Sequence, residues 1–535
     1  MNELAARTVL VERARARVKE GQLAWAGVAF ISAALTLALV WLSHRWPPHE
    51  DETLALFVGR ESFGNLLHTV MAERGGAPLH FVFAWIVAHL GGGLGALRAV
   101  SIIFAVASVP LIALLGARLA NRATGLVAAA IASASWVLLF DGVFGRMYSL
   151  FLFTSVLSFL ALLSALDRGT LERFALWGVS LLLLLSTHPY AVLVIGAQAL
   201  FIVLQRAHLH IAVVTLALVA AAGSPFLWAD VVLRDRFDVG LGGGGDRLGS
   251  PGAVLQYLFG TFADYATGRG VWAIPAVLLA LVGGVMLGRR RRDSLLLTLC
   301  VIVVPAVAFT VATLGSATSP EARHLIFALP FFSLLLALPL TELARVRPPV
   351  TLALALGALT LLVAGEVRAA HEKTPALFDG DPPGERPARD AAAAWLASTA
   401  KADDVLLGYE PVYLRAWELS SSFPAQALPR ADPKLLAAAL REVSEPVGRG
   451  VWVFDASDTT NVRALQTIPF VLPKPPSAFE GRAYGPYLVV RSRAPLGTRT
   501  NYLRVSQRVM RVGQALQITD AQINLEALVG AESRF

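Results

Sequence analysis

Two adjacent carboxylates, Asp51 and Glu52, follow closely on the first long apolar stretch of the chain. A carboxylate held at a membrane–water boundary can act as a general base, or as a ligand to a divalent cation, in a reaction on a lipid-linked substrate. The same residues also suit a solvated acidic turn, with Asp51 helping to cap a following helix. Asp141 and Arg146 flank the exit of one apolar run and the start of the next. An ionisable pair at a membrane edge points to a substrate or metal site, or to a structural Asp–Arg pair. His188 precedes Pro189-Tyr190 at the end of another run, where a histidine serves function or local hydrogen bonding. Arg323 and His324 open a later run after Glu321. Arginine can grip phosphate oxygens in a bidentate way, or it can snorkel to the interface.

These residues need elements to hold them, and the composition says which. The chain has 535 residues, 56% hydrophobic and 16% charged, with mean hydropathy +0.60. Soluble domains have a charged fraction nearer a quarter, and they have too little interior to hide this much apolar surface. The chain is read as a mainly α, polytopic membrane protein. Apolar runs long enough to span fall at roughly 23–43, 98–117, 124–140, 147–166, 174–187, 190–205, 209–228, 271–288, 294–314, 323–342 and 350–366. That makes about eleven transmembrane helices. A further run, Ala77 to Leu90, is about fourteen residues long and carries His80 and His89. It reads as an interfacial or re-entrant segment.

Charge sets the topology. If 77–90 does not cross, Arg118 and Arg122, Arg168 and Arg173, Arg206, Arg289 to Arg292, and Arg345 with Arg347 all fall on the cytoplasmic side. If it crosses, the four-arginine run is placed outside. The first arrangement is preferred. It keeps residues 1–22 cytoplasmic, makes 44–97 one long external loop, and gathers Asp51, Asp141, Arg146, His188 and Arg323 on the outer side. The net charge of +8 is then loop arginine that anchors topology, and no nucleic-acid partner is expected. Arg289 to Arg292 reads purely as such an anchor. Trp228, Tyr257, Phe259, Phe262 and Tyr265 in the stretch 230–270 read as an interfacial belt. The Gly-rich 242–245 lacks any P-loop spacing.

The transmembrane region 23–366 gives way to residues 367–535, which read as a soluble extracytoplasmic α/β domain and tail. A linker is expected over 373–390 and a helix over 388–401. Strands are expected at 404–407, 451–454 and 487–490. The tail after Pro495 reads as amphipathic or partly disordered. With Cys300 the one cysteine, no internal disulfide is available, so the core alone stabilises this domain.

The succession DETLALFVG, GGAPLHFVFAWIVAHLG, the segment from Leu97 to Trp136, GRMYSL, STHPYA and EARHLIFALPFF resembles the GT-C membrane glycosyltransferases. Within them it is most similar to the protein O-mannosyltransferase and aminoarabinose-transferase group. The likeness covers about the first 200 residues and returns at Glu321. It implies an enzyme that takes a sugar from a polyprenyl-phosphate carrier and passes it, with inversion, to an acceptor on the extracytoplasmic side of a bacterial plasma (inner) membrane. Asp51 maps onto the family's general base, and Glu52 is its companion. Arg323 maps onto a donor phosphate-binding arginine, with Arg146 as a second. Asp141 and His188 are left as substrate or metal residues. Similar enzymes often carry an acid two residues before the arginine of the Arg-Met-Tyr element, and Phe144 stands there instead. The acidic role falls to Asp141 or to no residue, and a divalent cation stays an open expectation.

Two other classes share these features. A lipid or glycan transporter would show inverted repeats and matched helix breaks, and Gly223-Ser224-Pro225 and Pro305 form no matched pair. A non-catalytic cell-envelope scaffold would tolerate loss of Asp51. Neither the sugar nor the acceptor (protein, lipid or polysaccharide) is written in the sequence.

Overall fold

Each of the eleven apolar runs is helical. The computed structural model describes residues 2–73, 76–237, 248–268, 273–312, 320–346, 348–380, 384–420, 422–429, 433–455 and 478–516. Seven helices are long and apolar enough to cross a bilayer: Gly21–Ser43, Leu94–Leu119, Tyr148–Arg168, Ala273–Arg290, Arg292–Val311, Ala322–Val346 and Pro349–Lys373. An eighth crossing forms if Arg122–Ala134 and Trp136–Val143, bent by 62°, count as one span. The remaining three runs are helices of 14 or 15 residues, Leu171–Leu185, Ala191–Gln205 and Leu209–Ala222. The chain is a multi-pass membrane protein with a small mixed sheet. Residues 242–245 and those beyond Leu516 lie outside the described residues.

The chain divides into two compact units. The first comprises Met1–His44, Gly64–Phe83 and Gly95–Phe378. At its centre lies the span Ala322–Val346, whose apolar window is 94% buried, against 17% for Gly21–Ser43. Small residues let its neighbours approach closely. A Cβ on Gly125 would stand 2.3 Å from the Ala113 carbonyl oxygen, and one on Gly116 2.6 Å from Gly125 Cα. Buried polar side chains find partners on other helices. Thr124 and Thr341 hydroxyls meet at 2.9 Å, Trp177 Nε1 donates to Gln198 Oε1 at 2.6 Å, and Gln198 Nε2 donates to Ser158 Oγ at 2.7 Å.

The bend after Ala134 interrupts the helical ladder and turns a backbone donor toward the interior. Glu366 supplies the acceptor: Trp136 N donates to its Oε2 at 2.7 Å. The Trp136 indole donates to Thr374 Oγ1 at 3.2 Å, and Lys373 stands over that ring while pairing with Asp264.

Arginine-bearing helix ends gather at one end of this unit. Arg118 pairs with Asp167 at 2.5 Å, Arg290 and Arg345 both hold Glu342, and Arg291 donates to the Arg118 carbonyl at 2.9 Å. The described residues of the stretch 230–270, read from sequence as an external loop, are mostly helical, as Ser224–Phe237 and Pro251–Asp264. The second of these starts there because Ser250 Oγ accepts from Ala253 N at 3.2 Å and Pro251 follows at the first helical position.

The second unit comprises Arg45–Phe63, Ala84–Leu94 and Asp379–Phe535. Its sheet runs β2-β1-β3-β5-β4, with β1 Val405–Leu407, β2 Gln426–Leu428, β3 Gly450–Asp455, β4 Phe479–Tyr484 and β5 Tyr487–Ser492. β1 is parallel to β2 and β3, and β5 is antiparallel to β3 and β4. Leu407, Trp452, Leu488 and Val490 meet Tyr502, Val505 and Val509 of the amphipathic helix Arg499–Leu516 in one core. Buried Asp404 takes a two-point hold from Arg449, Nε to Oδ1 at 2.9 Å and Nη2 to Oδ2 at 2.6 Å. The helix expected over 388–401 is Glu385–Thr399; Gly384 adopts a left-handed conformation just before it and starts it earlier. Short β2 and the exposed-faced β4 carry too little alternation to stand out in sequence.

Candidate active site

Three helix ends meet in the first unit, at the end away from the arginine-bearing one. Tyr148–Arg168 connects the two ends, starting in the site and finishing roughly 30 Å away, where its Asp167 pairs with Arg118. The turn ahead of it, Phe144-Gly145-Arg146-Met147, follows the bent pair of helices. His188 lies between Leu171–Leu185 and Ala191–Gln205, and Arg323 in the short 3-10 helix Ala322–Ala328 that opens the central span.

Each side chain is fixed locally. His188 is buried, and its Nδ1 accepts from the Tyr190 backbone N–H at 3.0 Å. A neutral imidazole then carries its proton on Nε2. The ring stacks on Phe151 at 4.7 Å and lies 5.5 Å from the His324 ring. His324 Nδ1 lies 3.2 Å from the Glu321 carbonyl, which only accepts, so that nitrogen is the donor. Its Nε2 faces the Tyr148 hydroxyl at 3.5 Å. The Arg323 guanidinium lies 5.0 Å from the Tyr148 ring, 5.5 Å from Phe144 and 5.9 Å from Phe140, and its Nε is 2.9 Å from Glu321 Oε2.

Arg146 and Arg323 both act electrostatically on His188, as does His324. Arg323 and Glu321 act likewise on Asp141. Asp141 is fully buried, and neither carboxylate oxygen has a hydrogen-bond partner among the described residues. His80, buried in the helix Pro78–His89, is coupled to Arg146 and to the Gly145 backbone. The structure therefore brings together Asp141, Arg146, His188 and Arg323, and adds His324, Tyr148, Tyr190 and His80. Two guanidiniums acting on one buried imidazole, with His324 and aromatic faces beside it, form a grouping able to bind an anion. Among the described residues, no group of three or more His, Cys, Asp or Glu side chains is arranged to hold a metal ion. Tyr265 and Phe262 pack inside, Tyr265 bonding the Ala322 carbonyl at 3.0 Å and Phe262 stacking on Phe332. Trp228 and Phe259 are exposed, as an interfacial belt requires.

Asp51 and Glu52 belong to the second unit. They lie in the first turn of the helix Glu50–Gly59. Glu52 is buried, and its Oε2 accepts from the His49 backbone N–H at 3.2 Å while His49 Nδ1 accepts from Asp51 N at 3.1 Å. This reciprocal cap spends one Glu52 oxygen on holding the turn that presents Asp51. Asp51 itself is partly exposed. Downstream, the Phe57 ring packs at a tilt against Tyr409 at 5.2 Å and Trp417 at 4.7 Å, and Thr53 Oγ1 donates to the Tyr409 carbonyl.

No family model matches the sequence, and neither does any curated protein. Solved structures match its fold. ArnT, an aminoarabinose transferase, from Cupriavidus metallidurans is similar in the apo state, with TM-score 0.55 and 12% identity over 88% of this chain and 98% of that one. The same protein bound to undecaprenyl phosphate gives TM-score 0.56 and 12% identity over 87% and 97%. The Archaeoglobus fulgidus oligosaccharyltransferase in the apo form gives TM-score 0.52 and 13% identity over 80% and 70%. The chain has the fold of these polytopic GT-C membrane proteins.

Proposed function

We propose that this chain is a glycosyltransferase that moves a hexosyl or pentosyl group from a polyprenyl-phosphate donor to an acceptor hydroxyl at the extracytoplasmic face of the plasma (inner) membrane. The observation that carries this reading is the convergence of Arg146, Arg323, His188 and His324 at the end of the first unit away from its arginine-bearing end. By the positive-inside rule the arginine-bearing end is cytoplasmic, so the N-terminus is inside and the anion site and the C-terminal domain are outside. The donor's phosphate is one of the few anions both large enough to use two guanidiniums and delivered at membrane depth. Binding of undecaprenyl phosphate by the similar ArnT agrees with this reading.

In this mechanism Asp51 takes the proton of the acceptor hydroxyl. The acceptor oxygen bonds to the anomeric carbon as the bond from that carbon to the phosphate oxygen breaks. One displacement inverts the configuration. Arg323, with Arg146, stabilises the charge that grows on the departing polyprenyl phosphate. Glu52 acts through Asp51 by holding its helix turn. Asp141 lies within the field of Arg323. His188 donates through Nε2–H to the phosphate or a substrate hydroxyl, while His324, whose Nδ1–H is held by the Glu321 carbonyl, offers Nε2 as an acceptor.

The test is transfer from a panel of radiolabelled polyprenyl-phosphate sugars, with wild type and Asp51→Asn reconstituted in lipid side by side. Loss of a general base costs roughly a hundred- to ten-thousand-fold. The expected result is one accepted donor and a loss of that size in Asp51→Asn. Equal activity of the two would move the base elsewhere. A wild type inert to every donor, with acceptor extracts supplied, would favour transport or scaffolding instead.

A further inference from the structure

The arginine run after Ala273–Arg290 does more than face one side of the membrane. A cavity of about 660 Å³ opens beside it, lined by Arg118, Asp167, Arg290, Arg291, Arg292 and Asp293, with Leu163 and Phe201 in its wall. The arginines differ in their partners. Arg118 is held by Asp167, and Arg290 by Glu342. Arg291 is fixed by donation to the Arg118 carbonyl, and neither it nor Arg292 has a carboxylate partner among the described residues. The backbone breaks at Arg291, so the first amides of Arg292–Ala312 begin at the same mouth. An anion is favoured there by both the guanidiniums and the helix end.

The chemistry is two-sided. Cationic groups meet an apolar wall at the end of the spans, which suits an amphiphile better than a soluble anion. We propose that this cavity binds the phosphodiester headgroup of an anionic phospholipid, with Arg291 and Arg292 on the phosphate and the first part of an acyl chain along Leu163 and Phe201. This site is at the opposite end of the unit from the candidate active site. It does not depend on glycosyl transfer.

The test is lipid retention by the full chain, purified in detergent, exchanged into nanodiscs of equal phosphatidylglycerol and phosphatidylcholine, re-extracted, and read by native mass spectrometry. Wild type should retain phosphatidylglycerol at least fivefold over phosphatidylcholine. Arg291→Gln with Arg292→Gln should abolish that preference. Because removing two positive charges also perturbs insertion, Leu163→Trp is the second variant. It keeps every arginine, fills the apolar wall, and should lower retention at least threefold. Equal retention of both lipids by wild type, or unchanged preference in both variants, would overturn the proposal. So would displacement of the lipid by millimolar inorganic phosphate or glycerol phosphate, which would identify a soluble-anion site.

Discussion

Arg323 is held by rings as much as by charge. Phe140, Phe144 and Tyr148 surround its guanidinium, and Glu321 pairs with it. A planar cation stacked in this way is pre-oriented, so lysine is a poor replacement although it keeps the charge. Arg323→Lys should lower kcat/KM for the donor at least tenfold, and Arg323→Ala about a hundredfold or more. Steady-state transfer at varied donor concentration checks this, and a fully active Arg323→Lys would remove the two-point grip from the mechanism. In sequence, Asp141, Arg146, His188 and Arg323 were legible because polar residues at the ends of apolar runs stand out. His324 was visible beside Arg323 but without a role of its own, and Tyr148 was not singled out, because a histidine beside an arginine and a tyrosine at a helix start both look like interface residues. Only the meeting of three helix ends singles them out. Phe144 read as a missing acid, whereas in the fold it is part of the surface beneath Arg323.

Among the helices, the 62° break between Ala134 and Trp136 has no local signature in the residues around it. Residues 124–140 form one apolar run without proline, and the compensating carboxylate is 230 residues further on, in the helix Pro348–Lys373. Glu366→Ala would leave the Trp136 amide buried without its acceptor, at a cost of about 1–3 kcal/mol. The midpoint of thermal unfolding in detergent should fall, with Glu366→Gln closer to wild type because an acceptor oxygen remains. Gly125→Leu is the harsher change. Its side chain would meet the backbone of Leu94–Leu119 rather than a movable side chain, so separation of the two helices is the only relief. Its expected outcome is loss of the monodisperse peak in detergent gel filtration, whereas Gly357→Leu, at an open position, should elute as wild type.

At the scale of the whole chain, hydropathy and arginine placement were enough to read the membrane class, the eleven helical runs and a C-terminal α/β region. What could not be read was that Arg45–Phe63 and Ala84–Leu94 fold with residues beyond Asp379. No local pattern links Phe57 to Tyr409 and Trp417, because their contact is wholly tertiary. A ten-residue helix has little stability of its own. Deleting residues 379–535 should therefore leave Glu50–Gly59 unsupported, with amide exchange in 50–59 faster by at least a hundredfold. Unchanged exchange there would mean the helix is held by other contacts.

That shared unit also sets a clock on biosynthesis. Phe57 leaves the ribosome about 360 residues before Trp417, which at ~5–20 residues per second is a wait of roughly 20–70 s. Throughout it the helix carrying Asp51 lacks the aromatic partners that pack on Phe57. On the proposed mechanism the base is supported only once the residues that pack on Phe57 have been made, so a product cut short before Tyr409 would keep its spans and lack transfer activity.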